Sequence, residues 1–324
     1  MAFPDAALVL TAGLGTRLRP LSLVRAKPAV PMAGQSVIRR ILAWLSRSGV
    51  ENVVLNLHYR PETIASEVGD GSDLGVSVRY SWEQPILGSA GGPRHALPLL
   101  TPDTFFISNS DLTDVDLHAI AEDHARSGAL VTLALTPHWD RLRYGGVALD
   151  DHGAVTRLVP RGEAERAFHF VGVQVVHRSV FSDLPDGVPL ESLTGVYRTL
   201  MTTRPGSVRG FVCEADFWDV GTPADYMAAT LALARREGLA ELPLGRNSHV
   251  APSSRLIDTI VWDDVVIGED CELVRCIVAD GVRIPQGSRF ADVAVIPALG
   301  RSAGDHEMLT GDLIVAPIST HHVE

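Results

Sequence analysis

The chain has 324 residues, 46% of them hydrophobic, and a formal net charge of −11. That length and apolar content predict a sizeable core divided between two domains, and the acidic balance argues against a broad nucleic-acid-binding surface. The apolar runs fall far short of the roughly 20 residues that a bilayer span needs, and MAFPD at the start carries no basic leader-like region, so a cytoplasmic protein away from membranes is expected.

Up to about residue 237, short β runs alternate with helical periods. In order they are ALVLT, a helical pattern over 36–48, NVVLNL, 61–68, VSVRYSW, 92–99, FFIS, 116–127 and ALVTLAL. This alternation predicts an α/β domain on a doubly wound, Rossmann-like, mixed but mostly parallel sheet, in which ligands sit at the carboxyl ends of strands. The Gly-rich loop after ALVLT and the Asp111 region after FFIS both fall at such ends. Thr222-Pro223-Ala224-Asp225 reads as an N-cap followed by proline at the first helical position, opening a helix to about Arg236.

Residues 238–246 then read as a linker. Beyond it the period becomes 17: Val250, Ile267 and Ile284 are so spaced, as are Leu256, Leu273 and Phe290, and Ile260 matches Ile277. Fixed offsets of this kind predict a short C-terminal left-handed parallel β-helix over 247–297, followed by a tail over 298–324. Cys213, Cys271 and Cys276 have no C-x-x-C spacing and are read as small core residues in a reducing compartment.

Lys27 is the single lysine among 28 basic residues. Arginine is a planar fork and lysine a mobile point charge, so the exception marks Lys27 as a candidate for phosphate chemistry. No Asp or Glu occurs from Ala6 to Val50, while Arg17, Arg19, Arg25, Lys27, Arg39, Arg40 and Arg47 all lie there. A local cationic segment on an acidic protein suits a small, highly charged anion. Arg39, Arg40 and Arg47 also fit a solvated helix face. Gly13-Leu14-Gly15 fails the dinucleotide pattern, because Leu18 stands at the third glycine and no acidic residue follows about 20 positions on, and G-x-x-x-x-G-K-[ST] is absent. What remains is a glycine loop whose N–H groups can wrap phosphates, with Arg17 and Lys27 adding charge.

The segment LVLTAGLGTRLRPLSLVRAKPAVPMAG resembles the signature of sugar-1-phosphate nucleotidyltransferases. LGSAGGPRHAL is similar to that family's second nucleotide loop, ISNSDL to its metal-binding N-G-D, FHFVGVQVV to its sugar-pocket strand and FWDVGTPADYM to its W-x-D-[IV]-G-T-P segment. The resemblance implies a catalytic domain over 1–237 that joins a nucleoside triphosphate to a hexose 1-phosphate. It implies that Arg17 binds the triphosphate, that Lys27 stabilises the α-phosphate, and that Asp111 and Asp219 ligate Mg²⁺. Ala12, Gly13, Gly15, Thr16, Glu83, Gly88, Ala90, Gly91 and Asn109 would line the nucleotide site by the same resemblance, and Gly145, Arg161, Gly172 and Glu191 the sugar-phosphate site.

Two positions depart from the family pattern. Ser110 replaces the glycine of N-G-D and is expected to crowd the backbone. The family's E-K-P lysine is missing from VPRGE, where Arg161 is the nearest stand-in. Among bases, the position of Glu83 five residues before Gly88 matches the glutamate of mannose-1-phosphate guanylyltransferases and favours GTP with mannose 1-phosphate. Other segments also resemble muramate-phosphate uridylyltransferases, so UTP stays open, as does a regulatory subunit that only binds NDP-sugar. An acyltransferase, the other common use of hexapeptide coils, would need more coils with a catalytic His. The β-helix is therefore expected to serve packing and homo-oligomer assembly, without a part in the chemistry.

Overall fold

A computed structural model describes residues 3–137, 140–163 and 166–318. The chain divides into two compact units, the first made of residues 1–13 and 38–217 and the second of 14–37 and 218–324. This division cuts across the boundary expected at 237, because the glycine-loop segment and the capped helix pack with the coils of the repeat.

The first unit is built on seven strands: β1 (Ala6–Leu10), β2 (Asn52–Leu57), β3 (Ser77–Trp82), β4 (Thr104–Asn109), β5 (Val131–Thr136), β6 (His169–His177) and β7 (Val208–Val212). Their order is β7-β5-β6-β4-β1-β2-β3. β1 runs parallel to β2 and β4, β2 to β3 and β7 to β5, and β6 alone is antiparallel to its neighbours. The alternating apolar runs thus make the expected mixed, mostly parallel sheet. Its packed layer includes Leu8, Val54, Phe105, Ile107, Leu133, Val176, Phe181 and Tyr197, where truncation of one Leu or Phe to Ala costs about 2–5 kcal/mol.

The helices mostly follow their patterns: Val37–Arg47, Pro61–Val68 and Leu117–Ser127, the last capped by the Asp116 carboxylate on the N–H groups of His118 and Ala119. One helix differs from expectation, running over Gly88–Ala96 and starting four residues before the predicted 92. The reason is local satisfaction of its first donors. The Glu83 carboxylate accepts from Leu87 N, and the Leu190 carbonyl accepts from Ala90 N and Gly91 N.

On the Leu117–Ser127 helix, His124 is buried with Nδ1 2.9 Å from Thr132 Oγ1. Burial, with the nearby His177, pushes its pKa down from 6.5 to about 4. The unfolded chain therefore takes up a proton near pH 6.5 that the folded chain refuses until about pH 4, so acidification favours unfolding. From pH 7 to 5 this single group should lower stability by about 2 kcal/mol. Urea denaturation at both pH values reads the loss, and His124→Gln should remove that part of it; an identical pH slope in the variant would contradict the assignment.

In the second unit, Thr222 and Asp225 form a reciprocal capping box at the start of helix Pro223–Arg236, as expected. The repeat winds two parallel three-stranded sheets and the three parallel strands of a third, five-stranded sheet, with Leu256 beside Leu273 beside Phe290, and Ile267 beside Ile284. Every pairing is offset by 17, so the sequence period is the length of one coil. Its corners need left-handed backbone, and the residues there repeat with the same period: Asn247 (φ 54°), Asp264 (58°) and Gly281 (70°), then Asp258, Arg275 and Asp292. Cys271 and Cys276 are buried in this core, as read. The tail adds Leu313–Pro317 antiparallel to Val293–Pro297, and Met308–Thr310 beyond it. Among the described residues no helix is long and apolar enough to cross a membrane.

Candidate active site

In the first unit, the ends of β1, β2 and β3 are tied together by one buried polar chain. Asn56 Oδ1 accepts from Thr11 N at 2.6 Å, and Asn56 Nδ2 donates to Glu83 Oε1 at 2.7 Å; Glu83 Oε2 accepts from Leu87 N at 2.8 Å. The chain sets the positions of Ala12 and Gly13 after β1 and of the loop opening at Gly88. Glu83 is 3% exposed, whereas Gln84 beside it faces outward. Each Glu83 oxygen keeps a further lone pair while these protein donors orient it. Asn56 was not singled out as a site residue; the signal was one amide inside the apolar run NVVLNL.

The second loop needs its glycines for space. A Cβ on Gly91 would fall 2.4 Å from Val188 O, and one on Gly88 2.7 Å from Leu190 O. Ala90 shares the Leu190 carbonyl with Gly91 through their N–H groups. Ser89 Oγ donates to the Glu191 carboxylate at 2.7 Å and accepts from Ser192 N, so Glu191 is joined to this loop.

Asn109 ends β4, and Asp111 lies two residues on. Gly172 has φ 81°, and a Cβ there would meet the Asn109 side chain at 2.9 Å, so β6 bends to pass close to Asn109. Ser110 is not one of the residues with left-handed backbone. Its backbone conformation therefore does not itself require glycine, and the Ser110 side chain is buried. Gly145 and Arg161 are brought to the same end of a two-stranded ribbon, Gly146–Leu149 with Val155–Val159, just outside the pair Gly146↔Val159. Arg161 is exposed in a turn.

In the second unit the signature loop folds back through three short turns, Thr16–Leu18, Leu21–Leu23 and Lys27–Ala29. Gly15 has φ 60°, and a Cβ there would sit 3.2 Å from Ser22 Cβ and 3.6 Å from Lys27 Cβ. The loop therefore bends tightly over the half-buried base of Lys27, leaving Thr16 and Arg17 exposed. A Cβ on Gly221 would lie 2.9 Å from Asp219 Oδ1 and 3.0 Å from Arg17 Nη1. Arg17 and Asp219 thus converge on the space over Gly221. Arg236 lies 4.9 Å above the Trp218 ring, which fastens the residue before Asp219 to the end of helix Pro223–Arg236.

The cationic segment is not one patch. Arg39 pairs with Asp73 at 2.6 Å and donates to Glu67 O, and Arg25 is buried against Asp263 and Asp280. Arg17 and Lys27 belong to a different part of it, at the glycine loop.

Residues 6–236 match the Nucleotidyl transferase family, and residues 239–291 match the GlmU-like C-terminal hexapeptide. The chain belongs to the nucleotidyl transferase family. It is 32% identical to a mannose-1-phosphate guanylyltransferase of Mycobacterium tuberculosis, over 87% of this chain and 81% of that one. It is 31% identical to a mannose-1-phosphate guanyltransferase of Kluyveromyces lactis, over 74% and 68%. The fold is also that of HddC from Yersinia pseudotuberculosis, with TM-score 0.61 and 23% identity over 71% of this chain and 99% of that one. A sugar-phosphate nucleotidyltransferase thus accounts for both the glycine loop and the repeat.

Proposed function

We propose that this nucleotidyltransferase joins GTP to mannose 1-phosphate, giving GDP-mannose and pyrophosphate. The observation that carries the choice of base is the parity at the end of β3, where Glu83 turns inward and Gln84 outward. Guanine presents N1–H and its 2-amino group side by side, which suits a carboxylate, whereas uracil presents one N–H between two acceptors and suits an amide. Similarity to mannose-1-phosphate guanylyltransferases over most of the chain supports the sugar.

In this reading an oxygen of the sugar phosphate attacks the α-phosphorus in line; the new O–P bond forms as the bond to the bridging oxygen breaks and pyrophosphate leaves. The nucleophile is already a phosphate anion, so no general base is required. Arg17 holds the triphosphate and Lys27 follows the charge of the α-phosphate, and catalysis is positioning plus neutralisation. Arg161 takes the sugar phosphate in place of the family's lysine, its fork suited to two oxygens.

Among the described residues no cluster of three or more His, Cys, Asp or Glu is arranged to hold a metal alone. Two carboxylates, Asp111 and Asp219, with the remaining ligands from phosphates and water, fit the habit of Mg²⁺. Such an ion would supply charge neutralisation on the phosphate oxygens.

Pyrophosphate release from a panel of four NTPs against mannose, glucose and muramic acid 1-phosphates tests the reading. GTP with mannose 1-phosphate should give the highest kcat/KM; preference for UTP would replace it with a uridylyltransferase. Glu83→Gln turns a donor toward Asn56, Leu87 or the base, a mismatch of about 1–3 kcal/mol. It should lower the GTP-to-UTP ratio about tenfold or more. If Gln84→Glu moves that ratio and Glu83→Gln does not, the base is read from the other face of the strand.

A further inference from the structure

Arg25 stands in the signature loop, two residues before Lys27, yet its guanidinium is held by the coils of the repeat. Nε donates to Asp280 Oδ2 at 2.6 Å, and Nη2 donates to Asp280 Oδ1 and to Asp263 Oδ2, both at 2.7 Å. The guanidinium carbon lies 5.6 Å from the centre of the Trp262 ring. Asp263 and Asp280 are 17 residues apart, so they are the same position in successive coils, and Asp263 N donates to Asp280 Oδ1 at 3.0 Å. Arg246, one period earlier, closes the ladder by donating to Asp263 from its main chain and its side chain.

The arrangement reaches the loop at further points. Arg25 Nη1 donates to Ala29 O, so the guanidinium spans the turn that begins at Lys27. Trp262 Nε1 donates to Tyr226 Oη at 3.1 Å, and Tyr226 Oη donates to the carbonyl of Pro31. Arg25 is 9% exposed, and it stays charged because burial, which opposes the charge, is outweighed by its hydrogen bonds to, and the charges of, both carboxylates. Burial likewise works to raise the Asp263 carboxyl, but its bonds to Arg246 and Arg25 hold it below the usual range. A buried ion group of this kind is a weak source of net stability, but removing one partner leaves the other charge uncompensated, so the group holds or fails as a unit.

We propose that Asp263 and Asp280, acting through Arg25, are positioning residues for Lys27, so that the first coils of the β-helix set the geometry of nucleotidyl transfer. The inference rests on the role of Lys27 given above. It assigns the repeat a part in the reaction beyond packing. A remote misplacement of about 1 Å can cost about a hundredfold in rate, so the effect belongs in kcat.

The test uses the full-length chain carrying Asp263→Asn, Asp280→Asn or, as a control, Asp292→Asn, which breaks the exposed Arg275–Asp292 pair of the same repeat. Each is assayed well below its own Tm for kcat and KM with GTP and mannose 1-phosphate, and for hydrogen exchange of amides 18–31. Asp263→Asn and Asp280→Asn should lower kcat about tenfold to a hundredfold with a smaller change in KM, and speed exchange across the Lys27 turn. Asp292→Asn should match the wild type in both. Wild-type kcat in both loop-facing variants overturns the inference, as does an equal loss in the control. If an Asn variant fails to fold, Arg25→Lys keeps the charge but loses the fork, and wild-type kcat there overturns the inference equally. A wild-type protein inactive with every NTP refutes the role of Lys27 instead; unchanged exchange in the Asn variants would then sink the tether separately.

Discussion

Asp111→Asn and Asp219→Asn should each lower Mg²⁺-dependent turnover by about a hundredfold or more, or about 2.7 kcal/mol in barrier. The amide keeps the shape of the carboxylate and loses the charge that binds a hard cation. Asp111 follows β4 in the first compact unit, and Asp219 lies beside Arg17 at Gly221 in the second. If both hold one metal ion, the second loss falls on an enzyme that has already lost it, and the double variant is little slower than the worse single. Initial rates of pyrophosphate release over a Mg²⁺ titration measure this. Losses that multiply would mean separate roles, with Asp219 acting on Arg17 and Asp111 alone on the metal.

Much of this was legible because local pattern and global fold agree. Short apolar runs such as ALVLT, NVVLNL and FFIS, set between helical periods, are enough to give sheet strands, and the Thr222–Pro223–Asp225 cap needs only neighbours in sequence. The 17-residue offset survives into the strand pairing because in a coil the next copy of a position is always the adjacent strand. The family motifs placed the glycine loop for a different reason, since their order in the chain is specific.

What stayed hidden is long-range polar pairing. Asn56 joins Thr11 and Glu83 across 45 and 27 residues, and no periodicity marks a lone amide as a hub. Arg25 meets Asp263 and Asp280 across 238 and 255 residues. In sequence it looked like one more positive charge waiting for an anionic ligand, and the two aspartates looked like ordinary corners of a repeat. Net charge by segment cannot tell a cation that faces a substrate from one already neutralised by distant carboxylates. The same pairing moves the glycine-loop segment into the unit of the repeat, which is why the expected boundary at 237 does not separate the compact units.

Lys27→Arg is the other large effect expected, because it keeps the charge and changes only its shape. The base of Lys27 lies under Gly15, 3.6 Å from where a Cβ on that glycine would be, and the turn Lys27–Ala29 is bracketed by Arg25. A flexible four-carbon stem can carry a compact ammonium from the ground-state to the transition-state position of the α-phosphate. A rigid planar fork, longer by an atom and bound to two oxygens at once, resists that movement. Turnover should fall by at least about tenfold, or about 1.4 kcal/mol in barrier, with KM for the NTP changed less, since attraction for a polyanion survives. The backbone bonds of the turn run from Ala29 N to Ala26 O and from Val30 N to Lys27 O, and arginine can make the same ones; Tm measured on the same sample should stay near that of the wild type. Single-turnover rates with saturating GTP and mannose 1-phosphate separate this from a binding defect. Wild-type turnover in Lys27→Arg would mean that the one lysine in this chain is there for no chemical reason, and that charge alone, from any basic residue, serves at the α-phosphate.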